Sequence, residues 1–289
     1  MDSSLKNCGQ EGFVKTNGIQ LYYITQGTGK LMLFVHGFPE FWYSWRHQIP
    51  EFAQDHKVVA LDLRGYNKSD KPQELSAYRI ETLVKDIAGV IKELGYDNCI
   101  LVGHDWGGAI AWYFADAYPG MVEKLIVLNI PHPANFQKGL KTLKQLSKSW
   151  YIFFFQIPYL PELILQRNNC QAIATMFRKT CVDKSAFSDE DLEKYKQSAA
   201  QPGALTAMLN YYRNIFKSLF TPPKQQWKVL AMPILMIWGE NDTALGKELT
   251  YDTDQYAQDL TIKYIPNCSH WVQQEKPQLV NQYIREFVT

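Results

Sequence analysis

Residues 100–108 read Ile-Leu-Val-Gly-His-Asp-Trp-Gly-Gly, a buried apolar strand that runs straight into the opening of a helix. A turn that sharp needs small residues around it, because the helix must pack close to the strand it has just left. Gly103, Gly107 and Gly108 meet that need and leave Asp105 at the tip. Turns of this kind usually carry serine in G-x-S-x-G, whereas here the pattern is G-H-D-W-G. A carboxylate nucleophile forms an alkyl ester rather than an acyl-enzyme, which points to attack on saturated carbon.

The rest of the chain is consistent with an α/β class built around that turn. Apolar runs rich in β-branched and aromatic residues lie near 19–25, 31–35, 57–63, 98–102, 124–129, 234–238 and 261–265. They alternate with amphipathic segments such as 80–94 and 278–287, the mark of a mostly parallel sheet flanked by helices on both faces. The first two runs sit close together around Asn17-Gly18 and are expected to form an antiparallel hairpin leading into the sheet. Between Pro131 and Pro223 the strand rhythm gives way to a helical pattern dense in aromatic residues. The expected organisation is a core of residues 1–132 and 223–289, with residues 133–222 inserted as a helical cap. Such a cap lies over the C-terminal ends of the strands, where α/β ligand sites form.

With 30 Lys+Arg against 29 Asp+Glu, the chain of 289 residues carries a formal charge of +1, so nothing in its composition argues for nucleic acid or an anionic membrane. Residues 150–165 are apolar but are interrupted by Gln156, Pro158, Pro161 and Glu162, so no membrane span is expected. Residues 1–7 lack the apolar core of a signal peptide. The five cysteines, Cys8, Cys99, Cys170, Cys181 and Cys268, are scattered with no C-x-x-C pair. Reduced thiols in a cytoplasmic protein are the expectation. No Cys/His cluster has zinc-ligand spacing, and neither metal nor cofactor is called for.

Turnover of an ester on Asp105 requires a base to activate water, an acid to orient that base, and donors for an oxyanion. Of six histidines, His104 flanks the nucleophile on the strand and should point the other way. His36 ends a core strand, His47 and His56 lie in or after the following helix, and His132 begins the cap. His270 stands in the short polar loop 266–271, between a late strand and the last helix, and is the expected base. Asp242 follows the end of the 234–238 strand and is the expected orienting acid, with Glu240 as its competitor. The order Asp105, Asp242, His270 is nucleophile, acid, histidine. The backbone N–H groups of Trp106 and of Phe38, in His36-Gly37-Phe38-Pro39, are the expected oxyanion donors.

Across essentially its whole length the chain resembles the α/β-hydrolase superfamily, and more narrowly the epoxide hydrolases. The matching pieces are His36-Gly37-Phe38-Pro39-Glu40, Trp42-Tyr43-Ser44-Trp45-Arg46, Asp62-Leu63-Arg64-Gly65-Tyr66 with Ser69-Asp70-Lys71-Pro72, the aspartate elbow, and Asn129-Ile130-Pro131-His132-Pro133. The resemblance implies two cap tyrosines that hold the epoxide oxygen as the ring opens. By motif these match Tyr151, before Phe155-Gln156-Ile157-Pro158, and Tyr212, in Asn210-Tyr211-Tyr212-Arg213, with Tyr211 the nearest rival. One departure is Asn67, which replaces a common glycine in an R-G-Y-G-x-S turn; asparagine tolerates the left-handed conformation needed there.

The implied reaction takes a small apolar epoxide and water to a vicinal diol, in a monomer or homodimer. A dehalogenase using the same nucleophile is the rival enzyme. Against it, Phe38 stands where one large dehalogenase group carries asparagine, and no arginine follows Trp106 in residues 107–111. A catalytically dead binding protein of the same fold is disfavoured, because no member of the triad is missing.

Overall fold

The computed structural model describes residues 9–220 and 226–289. Among the described residues, eight strands form one sheet. They are β1 (Gln10–Thr16), β2 (Ile19–Gln26), β3 (Leu31–Val35), β4 (Lys57–Leu61), β5 (Cys99–His104), β6 (Val122–Leu128), β7 (Ile234–Gly239) and β8 (Leu260–Ile265). Their spatial order is β1-β2-β4-β3-β5-β6-β7-β8. The β1–β2 and β2–β4 pairs are antiparallel and all the others parallel. Every residue of β3, β5 and β7 is buried. Helices on both faces exclude water from these central strands, so they read as unbroken apolar runs rather than alternating ones.

The helices are α1 (Ile49–Phe52), α2 (Ile80–Glu93), α3 (Trp106–Ala117), α4 (Pro133–Gly139), α5 (Leu143–Lys148), α6 (Trp150–Phe154), α7 (Leu160–Thr180), α8 (Asp189–Ala199), α9 (Ala204–Phe220), α10 (Val272–Glu275) and α11 (Pro277–Val288). Arg167, Asn168, Asn169 and Cys170 are non-helical and break α7 into two pieces. The apolar stripe of α2, with Leu83, Val84, Ile87, Val90 and Ile91 buried, shows why a polar-faced segment settles against the sheet as a helix.

The expected hairpin is corrected. Asn17-Gly18 joins β1 to β2, and β3 does not pair with β2 because β4 lies between them. The sequence Gln-Glu-Gly-Phe-Val-Lys-Thr of β1 is mostly exposed or half-buried, so it carries too little apolar signal to stand out as a strand.

Among the described residues, six α-helices, α4 to α9, separate β6 from β7. We propose that residues 133–222 form a cap; the expected far boundary at 222–223 lies outside the described residues. Three cap hydroxyl and carboxylate contacts support its seating on the core. Tyr43 donates to Asp191 on α8 at 2.8 Å, Tyr195 donates to Gln274 at 2.6 Å, and Tyr211 donates to the Arg64 carbonyl at 2.7 Å.

At the elbow, Asp105 has φ +48° and ψ −121°, a conformation that side-chain-bearing residues rarely adopt. It is held there by close packing of α3 on β3 and β5. A Cβ added at Gly107 would overlap the Val35 carbonyl oxygen, and one at Gly103 would come within 2.6 Å of Gly108 Cα. These obstacles are backbone atoms of β3 and of α3 itself and cannot swing aside. Gly107→Ala is therefore expected to lower stability by about 3 kcal/mol, as overpacking does in a rigid core. Urea unfolding checks this, with a lower midpoint at unchanged slope expected; an unaltered midpoint would contradict the close packing.

Candidate active site

The functional candidates gather at the C-terminal ends of four parallel strands. Phe38 follows β3, Asp105 follows β5, Asp242 follows β7 and His270 follows β8. The His270 Nδ1 lies 2.7 Å from Asp242 Oδ2, and its Nε2 lies 3.5 Å from Asp105 Oδ2. The Phe38 N–H donates to Asp105 Oδ1 at 2.8 Å. Trp106 opens α3, so its N–H is among those a helix leaves without an intrahelical acceptor.

Asp242 is itself over-determined. Its Oδ1 accepts the Ala244 and Leu245 N–H groups at 2.7 and 2.9 Å, and its Oδ2 accepts the Asn129 side-chain amide at 2.8 Å. Asn129, at φ +41°, uses its other amide atom to accept the Gly239 N–H at 2.9 Å. The competing acid, Glu240, instead pairs with Lys247 at the surface.

Burial opposes charge on all three members of the trio, yet their mutual interactions outweigh it. His270 stays protonated well above the ordinary histidine range because Asp242 and Asp105 flank it. Both carboxyls are held below their ordinary range, Asp105 by His270 and the Phe38 N–H, Asp242 by His270 and the Leu245 N–H.

Tyr151 on α6 and Tyr212 on α9 approach from the opposite side, with ring centroids 5.8 Å apart at 85°. Together with Asp105 and Trp106 they line a cavity of about 450 Å³, whose other walls include Leu83, Ile130, Phe136 and Ile152. Burial, and next the Asp105 carboxylate, push both phenols above the ordinary tyrosine value, so they remain hydrogen-bond donors. Tyr211 also borders the cavity, but its hydroxyl is committed to the Arg64 carbonyl.

Sequence reasoning left some supporting residues without a role. Glu40 is fully buried and accepts from Gly37 N–H at 3.0 Å and from the Gln273 and Gln274 amides at 3.0 and 2.9 Å. His104 joins this network, with Nδ1 2.7 Å from Glu40 Oε2 and Nε2 2.9 Å from the His270 carbonyl oxygen. His104 thus ties the Phe38 loop to the histidine loop, with its ring 4.7 Å from that of His270. His36 accepts the Leu63 N–H at 3.0 Å, and burial depresses its ring to about 4, so it is a neutral brace. His132 caps α4, and burial holds it at about 3. Asn67 adopts φ +40° and donates to the buried Asp62 at 2.7 Å, a contact no glycine could make.

The chain as a whole is similar to known proteins. The α/β hydrolase fold family matches residues 30–277. Epoxide hydrolase 1 of Caenorhabditis elegans is 45% identical over 284 residues, covering 96% of this chain and 69% of that protein. The chain belongs to the epoxide hydrolase family. Epoxide hydrolase 4 of Homo sapiens is 43% identical over 95% of this chain and 77% of its own length. The crystal structure of a Bacillus megaterium epoxide hydrolase in complex with an inhibitor is also similar. It has a TM-score of 0.90 at 40% identity and covers 96% of this chain and 99% of that one. This family member is accordingly a hydrolase enzyme of the α/β fold.

The buried trio yields a titration test. In Asp105→Ala the His270 ring loses one of two anionic neighbours, so its NMR titration midpoint should fall toward the ordinary value. A raised folded-state pKa stabilises the fold fully below the unfolded value of about 6.5 and loses that contribution as pH rises through the folded value. A midpoint unmoved by Asp105→Ala would show that Asp242 alone holds the proton.

Proposed function

We propose that this enzyme opens an epoxide to a vicinal diol through an alkyl ester on Asp105. The observation that carries the reading is the convergence of two phenols, half-buried Tyr151 and buried Tyr212, on the same cavity as the elbow carboxylate. Asp105 attacks one ring carbon, the carbon–oxygen bond breaks, and the phenols hydrogen-bond the oxygen and supply its proton. An alkoxide is a poor leaving group, so this assistance has a clear purpose.

In the second half, alkylation has neutralised Asp105 and His270 has lost one of its anionic partners. The ring can then release its proton, which replaces the one the phenols gave, and as neutral imidazole take a proton from water, while Asp242 orients it and stabilises the imidazolium that forms. Water attacks the ester carbonyl, the Phe38 and Trp106 N–H groups receive the oxyanion, and the diol departs. The apolar walls favour a small apolar epoxide. The dehalogenase alternative would use the Trp106 indole to cradle halide; here that ring packs edge-on against Tyr212, with centroids 5.2 Å apart at 87°.

Among the described residues no helix is long and apolar enough to cross a membrane. Cys99, Cys170, Cys181 and Cys268 are buried free thiols, which supports a reducing compartment, and we place the enzyme in the cytoplasm on that ground. Cys8 lies outside the described residues.

Two experiments test the chemistry. His270→Gln should still alkylate but not hydrolyse, so intact-protein mass should rise by the mass of the epoxide. First-turnover diol carrying oxygen from labelled water would place the attack on water and remove Asp105 from the nucleophile role. Separately, Tyr151→Phe and Tyr212→Phe should each slow Asp105 alkylation by about 100-fold, the usual loss for one charge-directed donor. Rapid halide release from a bromoalkane, retained by the double variant, would instead identify a dehalogenase.

A further inference from the structure

The near-zero net charge of the chain conceals a local imbalance in the cap. Thirteen large apolar side chains remain exposed among the described residues, and nine of them fall within 143–164. Leu143 is 85% exposed, Tyr159 80%, Trp150 63% and Leu163 60%. Over almost the same stretch, 138–167, the sequence carries Lys138, Lys141, Lys144, Lys148 and Arg167 against the single acid Glu162. Glu162 is already neutralised by Arg213 from α9 at 2.8 Å, Lys144 pairs with Glu248 at 3.0 Å, and half-buried Lys148 donates inward to the Asp242 carbonyl at 2.8 Å, which leaves exposed Lys138, Lys141 and Arg167 as the charge of this face.

We propose that this face of the cap, formed by α5, α6 and the start of α7, docks on an anionic lipid bilayer surface. Indole, phenol and leucine side chains suit the headgroup boundary, and lysines around them suit acidic phospholipids. Charge also argues against a second copy as the occupant, since an isologous pairing would set this basic face against itself. The position of the patch adds to the argument. On the single turn of α6, exposed Trp150 and Phe153 flank Tyr151 and Ile152, which line the catalytic cavity. A docked cap therefore brings the cavity wall next to the lipid, where apolar molecules concentrate. The docking itself requires no assumption about turnover.

Flotation of the full chain with vesicles tests this, using phosphatidylcholine alone and phosphatidylcholine mixed with phosphatidylserine. Strong flotation with the mixed vesicles, weak flotation with the neutral ones and loss at high salt are expected. Each basic residue near such a surface contributes roughly five-fold to partitioning, so Lys141→Glu with Arg167→Glu should reduce it by at least about 25-fold. Tyr159→Ser with Leu163→Ser should also reduce flotation while leaving the unfolding midpoint unchanged, because both side chains face water. The proposal is overturned by failure to float with the mixed vesicles, or by flotation indifferent to phosphatidylserine or to both pairs of substitutions. A solution dimer that dissociates in Leu163→Ser would equally overturn it, assigning the face to a second copy.

Discussion

The near-contact of α3 with β3 and β5 is the constraint on which the site depends. A helix that starts one residue beyond a central strand can pack that closely only if its first turn carries no side chains on the inner face. Gly107 and Gly108 supply that, and the turn they permit lifts Asp105 out of the sheet at φ +48°. The strain belongs to a residue whose carboxylate is then secured by a backbone N–H and an imidazole, so the distortion and its restraint are built by neighbouring atoms.

Burial would ordinarily suppress ionisation in such a place. Here two carboxylates enclose one imidazole, and each carboxylate is further satisfied by backbone amides, so the charges persist where an isolated one would not. Around this trio lies a second layer of uncharged or paired groups, Asn129 behind Asp242 and Glu40 with His104 behind His270. They fix where the loops sit rather than facing the cavity. The sheet thus delivers the nucleophile and base on strand ends, and the outer network sets their spacing.

How much of this was readable from sequence follows from where the information resides. The elbow and the order Asp105, Asp242, His270 are local features, each a short polar tip after an apolar run, and the structure brings those tips together. The central strands were readable because both faces are buried. Strand β1 was not, because an edge strand with one buried residue has little apolar pattern to offer. The supporting network was unreadable for a different reason. Glu40, His104 and Gln274 meet across separations of 64 and 234 residues, and a buried polar side chain looks in sequence like any surface one. The choice between Tyr211 and Tyr212 likewise turns on one hydroxyl bonded to Arg64, which periodicity can suggest but only packing can decide.

The two sets of reacting groups proposed here reside on different parts of the chain. The carboxylate and imidazole are mounted on the sheet, whereas the phenols arrive on inserted helices seated by Tyr43–Asp191 and Tyr195–Gln274. Ring opening thus needs both parts in register, while ester cleavage draws only on the sheet. A change at that distant seam would then act as a selective brake, starving the first half-reaction of its proton donors while the second ran on undisturbed.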